Sequence, residues 1–234
     1  MAKIIVAGDS WACGEWPTWD PTQQARTMND KLLHRGISHY LTKIGHDVIQ
    51  LASGGHSNFD QLRGIQRWCL KNSKPDCILF MVTDPLRDFE HIPNSLAGFQ
   101  KTQQALMIGL LDGLADLEIP VWLVGGCVPV DHVNITNPRI KVLCPDWVRM
   151  IVGHRSVDNL CRVWSHPTAD LDLLEYLEQQ EQRLAEWMQL CATPGTVEHE
   201  YFWPDGRHPN RKAHLWLFDH LRSQALPLFD PVKT

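Results

Sequence analysis

The chain has 234 residues, 44% of them apolar, with 15 glycines and 15 prolines, a globular composition rather than a disordered or fibrous one. Lysine and arginine total 22 against 27 aspartates and glutamates, a formal net charge of −5 at pH 7, so there is no basic surplus to hold a phosphate backbone and no nucleic-acid partner is expected. The longest apolar runs, 77–82 and 105–111, fall far short of the roughly 20 residues of a membrane helix, so no membrane span is expected.

Residues 3–8, Lys-Ile-Ile-Val-Ala-Gly, are a short apolar run ending at a glycine, the pattern of a strand buried on both faces, and runs at 47–51, 76–82 and 121–125 repeat it. Apolar spacing predicts a helix over 26–44, with Leu32, Leu33, Ile37, Tyr40, Leu41 and Ile44 on one stripe, and further helices over 59–70 and 96–117. Strand and helix alternate, which predicts an α/β class with four strands of one parallel sheet joined by right-handed crossovers. Residues 127–165 are rich in Pro, Asn, His and Asp with little period, and read as an irregular excursion or small cap. A polar-faced helix is predicted over 171–190, burying Leu173, Leu174, Leu177, Leu184 and Met188, and a closing helix over 210–221. No repeat, low-complexity tract or linker divides the chain, so residues 1–234 are expected to form a single domain.

The seven cysteines, Cys13, Cys69, Cys77, Cys127, Cys144, Cys161 and Cys191, make no Cys-x-x-Cys pair and are odd in number. That fits reduced thiols in a cytoplasmic protein and argues against a zinc cluster. The first strand begins at Lys3 with no basic, apolar and cleavage regions before it, so no secretory signal is expected.

In a parallel sheet the ligand crevice lies outside the carboxyl ends of the strands, which directs attention to Gly8-Asp9-Ser10, to Ser53-Gly54-Gly55-His56-Ser57-Asn58 and to Thr83-Asp84-Pro85. A nucleophilic serine needs an imidazole within hydrogen-bond reach and a carboxylate to orient it. Ser10 follows the first strand, and Trp203-Pro204-Asp205-Gly206-Arg207-His208-Pro209-Asn210 supplies the other two on one turn. Either motif alone is common; their occurrence in order at opposite ends of an α/β pattern carries the reading. No Gly-Lys-Ser/Thr follows the first glycines and no serine lies in Gly-x-Ser-x-Gly, which argues against a phosphate loop and against an α/β-hydrolase elbow. The other histidines show no metal spacing, and His56 is the one expected to line the pocket. Cys13 lacks a histidine of its own and reads as packing, and Arg87 is expected to pair with Asp84 or Asp88. Ten tryptophans against three tyrosines suggest a stacking surface, with Trp11, Trp16, Trp19 and Trp203 near the motifs.

These blocks resemble those of the SGNH (GDSL-type) hydrolases. Gly8-Asp9-Ser10 with Gly14 looks like the nucleophile block, Gly54-Gly55-His56-Ser57-Asn58 like the second, and Asp205 and His208 with Pro209-Asn210 like the last. The resemblance runs from residue 3 to about 221. It implies a flavodoxin-like three-layer sandwich with a parallel sheet, catalysis by Ser10, His208 and Asp205, and no cofactor. It also implies an oxyanion hole formed by the N–H groups of Ser10 and Gly55 with one side-chain donor. One block departs: the family's Gly-x-Asn-Asp is here Met81-Val82-Thr83-Asp84, so Thr83 stands where the asparagine amide would donate, and Asn58 is the alternative donor.

The expected function is hydrolysis of a small acyl ester, in the first place an O-acetyl group on a carbohydrate, with Trp11, His56 and Trp203 contacting substrate. A lipid esterase or thioesterase is the second reading. The third is a weak or inactive glycan-binding or structural module, with a virion location if the source is a phage, since the second and third blocks look like variants of phage-encoded relatives.

Overall fold

The computed structural model describes residues 1–15, 32–88, 95–126, 128–130, 134–153, 173–206 and 208–224. Trp16, Trp19 and the 154–165 part of the expected excursion lie outside the described residues. Five strands, β1 (Lys3–Ala7), β2 (Asp47–Gln50), β3 (Cys77–Val82), β4 (Val121–Gly125) and β5 (Ile140–Cys144), form one all-parallel sheet in the order β2-β1-β3-β4-β5. This is the flavodoxin-like order, and its chain path reverses between β1 and β3, which opens a crevice at their carboxyl ends.

Side chains alternate across a strand, so β1 and β3 feed two cores. Ile4, Val6, Leu79 and Met81 point to one face, where they meet residues of α1 (Ser10–Cys13), α2 (Gly36–Lys43), α5 (Trp147–Val152) and α8 (Arg211–Ser223). Ile5, Ala7, Ile78, Phe80 and Val82 point to the other, against α3 (Asn58–Lys71) and α4 (Leu96–Ala115). Helices on both faces of a sheet make three layers, and the unbroken apolar runs of the central strands follow from burial on both sides. Two further helices, α6 (Leu173–Ala192) and α7 (Val197–Tyr201), precede the turn that leads into α8.

Three elements differ from those expected of the sequence. The described part of 127–165 contains a strand and a helix, β5 and α5, and is not an irregular cap. The helix expected over 26–44 is helical only from Gly36 among the described residues, because His34 pairs with Glu15 in an isolated antiparallel bridge, and Leu33 is 55% exposed rather than on a buried stripe. In α6 the fully buried ring is Trp187, while Met188 is 36% exposed. None of the described helices is long and apolar enough to cross a membrane.

Candidate active site

Strand β1 runs directly into the first candidate block. Gly8 has φ +142°, and a Cβ there would lie 2.8 Å from both the Met81 carbonyl oxygen and the Ala12 Cβ, so only glycine lets the chain turn this close to β3. Asp9 then caps α1, accepting the Trp11 N–H at 3.0 Å, and Ser10 is the first helical residue. Ser10 is buried at the mouth that the switch point creates.

Asp9 is 1% exposed, and a buried carboxylate is tolerated only when it is paired and hydrogen-bonded. Its Oδ2 accepts the Thr83 hydroxyl at 2.6 Å and lies 3.0 Å from Nη1 of Arg87, which also donates to the His56 carbonyl at 3.2 Å. Arg87, expected to pair with Asp84 or Asp88, thus has Asp9 as a partner 78 residues away. Sequence reasoning missed Asp9 as the junction of the site; the aspartate of Gly8-Asp9-Ser10 was the only signal for it.

The expected side-chain oxyanion donors are placed differently from the reading above. Thr83 is fully buried, and its single hydroxyl proton goes to Asp9. The Asn58 amide, also buried, grips the Thr83 backbone from both sides: Nδ2 donates to the Thr83 carbonyl and Oδ1 accepts the Thr83 N–H, each at 3.0 Å. Both residues therefore bind the end of β3 to its neighbours. Gly55 sits on an exposed turn with φ +80°, in open space, and His56 beside it is exposed. Ser53 N–H to the Gly8 carbonyl, 3.1 Å, ties that turn to the Ser10 loop.

Trp11 needs correction as a substrate platform. It is 4% exposed and packs edge-on against Trp147, with ring centroids 5.7 Å apart, and 6.0 Å from Phe202, so its faces belong to the core. Trp203 is half-buried on the turn that carries Asp205 and His208. Cys13 is buried, and desolvation, reinforced by the Asp9 charge, pushes its thiol up to about 12, which leaves it a packing group.

On the second turn, Asp205 accepts twice from His208: the backbone N–H reaches Oδ1 at 3.2 Å, and Nδ1 lies 2.6 Å from Oδ2. That contact assigns the ring proton to Nδ1, which gives Nε2 the acceptor role. The turn is closed by Trp203 N–H to the His208 carbonyl, 3.0 Å, by the Phe202–Pro209 bridge and by Trp187 Nε1–H to the Gly206 carbonyl, 2.8 Å. Asn210 caps α8 through the N–H groups of Lys212 and Ala213. Two contacts tie this turn to the chain around Ser10: the Trp11–Phe202 ring contact, and buried Glu15, which accepts from the Arg211 N–H at 3.3 Å and from Nε at 3.0 Å. One turn further on, His214 is fully buried against Trp147, and burial pushes its pKa down to about 3. Among the described residues no group of three or more His, Cys, Asp or Glu could hold a metal ion.

No family profile matches the sequence, and no curated protein matches it. Similar solved structures include a psychrotrophic esterase, EstA, from Pseudoalteromonas, at 14% identity over 96% of this chain and 97% of that one, with a TM-score of 0.47. TesA aligns at 13% identity over 97% and 99%, with a TM-score of 0.46. An acetyl-xylooligosaccharide esterase from Geobacillus, Axe2, aligns at 16% identity over 95% and 93%, with a TM-score of 0.43.

Proposed function

We propose that the chain is a serine ester hydrolase of the SGNH type, acting through Ser10, His208 and Asp205. The observation that carries this reading is the 2.6 Å contact between His208 Nδ1 and Asp205 Oδ2, on a turn anchored to the Ser10 loop through Glu15 and Arg211. His208 Nε2 takes the Ser10 hydroxyl proton as Oγ bonds to the ester carbonyl carbon, and the carbonyl oxygen becomes an oxyanion. Collapse breaks the bond to the alcohol oxygen, which leaves with the proton held by His208. Water, deprotonated by the same nitrogen, then releases the acid and regenerates Ser10. Asp205 stays ionised and stabilises the imidazolium. The oxyanion donors are the N–H groups of Ser10 and Gly55, and Thr83 and Asn58 fix the wall behind them.

The substrate we propose is a small acyl ester, first of all O-acetyl on a carbohydrate, with exposed Gly55 and His56 and half-buried Trp203 at its entrance. The commitment of the Thr83 hydroxyl to Asp9 favours a second reading, a binding module that kept its triad, since the hole then lacks the family's side-chain donor. Hydrolysis of a simple acetyl ester decides between them. The parent should turn it over, and Ser10→Ala should abolish turnover while leaving the circular dichroism and melting temperature unchanged. Equal activity in the two proteins rejects the triad.

A further inference from the structure

We propose that Arg87 is the positioning residue of the oxyanion hole, holding the Gly55 turn against the nucleophile loop; this rests on the esterase reading above. The two N–H donors assigned to that hole lie on separate loops, Ser10 after β1 and Gly55 before α3. Two donors stabilise one oxyanion only if their spacing is fixed before the charge develops. The Ser10 loop is fixed by Asp9, whose carboxylate holds the Trp11 N–H and the Thr83 hydroxyl. The Gly55 turn is less constrained. It is exposed, it takes a left-handed backbone conformation, and its ties are Ser53 N–H to the Gly8 carbonyl, His56 N–H to the Ser53 carbonyl at 3.3 Å and the Gly54 N–H against the Cys13 sulfur.

Nη1 of Arg87 joins the two loops. It lies 3.0 Å from Asp9 Oδ2, one residue before Ser10, and 3.2 Å from the His56 carbonyl, one residue after Gly55. The guanidinium is carried on the 3₁₀ turn Pro85–Asp88, whose Arg87 N–H is held by the Asp84 carbonyl at 3.2 Å, directly after β3. The third strand thus still contributes to the hole, although it lacks the asparagine of Gly-x-Asn-Asp. It contributes through a cation that sets the distance between two backbone donors rather than through a donor of its own. A planar guanidinium with several donors can serve a carboxylate and a carbonyl together, whereas the lysine ammonium is one atom shorter in reach.

The test uses the full chain with Arg87→Ala and Arg87→Lys, and reads backbone amide exchange across 54–57 alongside kcat and KM for an acetyl ester. In Arg87→Ala, exchange of the His56 N–H, which is bonded to the Ser53 carbonyl, should accelerate at least tenfold while the amides of β1 and β3 keep their parent rates. Turnover should fall about 10²-fold, with KM within about twofold, the size of losing one ordered oxyanion donor. Millimolar guanidinium ion should restore at least tenfold of it. If Arg87→Ala fails to fold, Arg87→Lys carries the test: it keeps a cation for Asp9, and should still show faster exchange at 54–57 and reduced kcat. Parent-like exchange at 54–57 in the folded variant overturns the proposal. So does a kcat loss accompanied by equally faster exchange throughout the sheet. If the parent hydrolyses no ester, the esterase reading fails, and the exchange rates, which need no substrate, still decide whether Arg87 holds the turn.

Discussion

Ser10 hangs from the ends of two central strands, whereas Asp205 and His208 ride on a turn between two helices, and the two regions are held by different means. Around Ser10 the restraints are buried polar bonds between segments far apart in sequence: Asp9 to Thr83 and Arg87, and Asn58 to Thr83. Around His208 the bonds are mostly local, Asp205 to His208 and Trp203 to His208, and the turn is fastened from outside by Phe202, Trp187 and Arg211. The Ser10 side is thus tied to the sheet by buried bonds, while the His208 side depends on the seating of α8. A serine must be placed to a fraction of an ångström, and a base needs one orienting bond on a turn that can accept and return a proton.

The largest effect separating the two regions should come from Asp205→Asn. The amide offers its donor or its acceptor to Nδ1 indifferently, the imidazole loses its enforced tautomer, and turnover should fall about 10³–10⁴-fold with the melting temperature unchanged. Stopped-assay turnover paired with a thermal melt checks this. A parallel loss of both quantities would show that the base turn is as structural as the strand ends.

On the nucleophile side stability should suffer. Thr83→Val keeps the shape and removes the hydroxyl that serves a buried carboxylate, so unfolding free energy should drop by about 1.5–3 kcal/mol. Urea titration measures it, and a drop under about 0.5 kcal/mol would remove Thr83 from the Asp9 network. Because the hydroxyl is already bonded to Asp9, no selective loss of an oxyanion donor is expected beyond the strain passed to Ser10.

The smallest effect is one of pH and belongs to the base side. Burial lowers His214 from 6.5 to about 3, so its unfolded form binds the extra proton between those values. Its contribution to stability is complete above about pH 6.5 and is lost as the pH falls toward 3. Protection of the α8 amides, measured as exchange relative to the intrinsic rate at each pH, should therefore be weaker at pH 4.5 than at pH 7, and should weaken before that of β1 and β3. His214→Phe should remove the difference, and an unchanged acid response in that variant would assign it to other groups.

How much of this was legible follows from the range of the interactions. The central strands announce themselves because burial on both faces forbids polar residues, Ser10 stands in a short motif directly after one of them, and Asp205 and His208 lie in a motif whose local bonds need no distant partner. β5 was hidden because Lys141 is exposed on an edge strand and prolines flank it, so neither a continuous apolar run nor a clean alternation appears. Trp11 was misplaced because adjacency to Ser10 in sequence is not adjacency in direction: successive residues of a helix point about 100° apart, so Ser10 can sit at the crevice while Trp11 enters the core. The Asp9–Arg87 pair spans 78 residues and has no periodic signature.

Covalent labelling by a fluorophosphonate tests the central claim most directly, because only an activated serine forms the phosphonyl ester at a useful rate. The account predicts a single adduct on intact protein, mapped by peptide mass to Ser10, absent from Ser10→Ala and slowed by orders of magnitude in Asp205→Asn. A parent protein that stays unlabelled, or that carries its adduct on another residue, would contradict it.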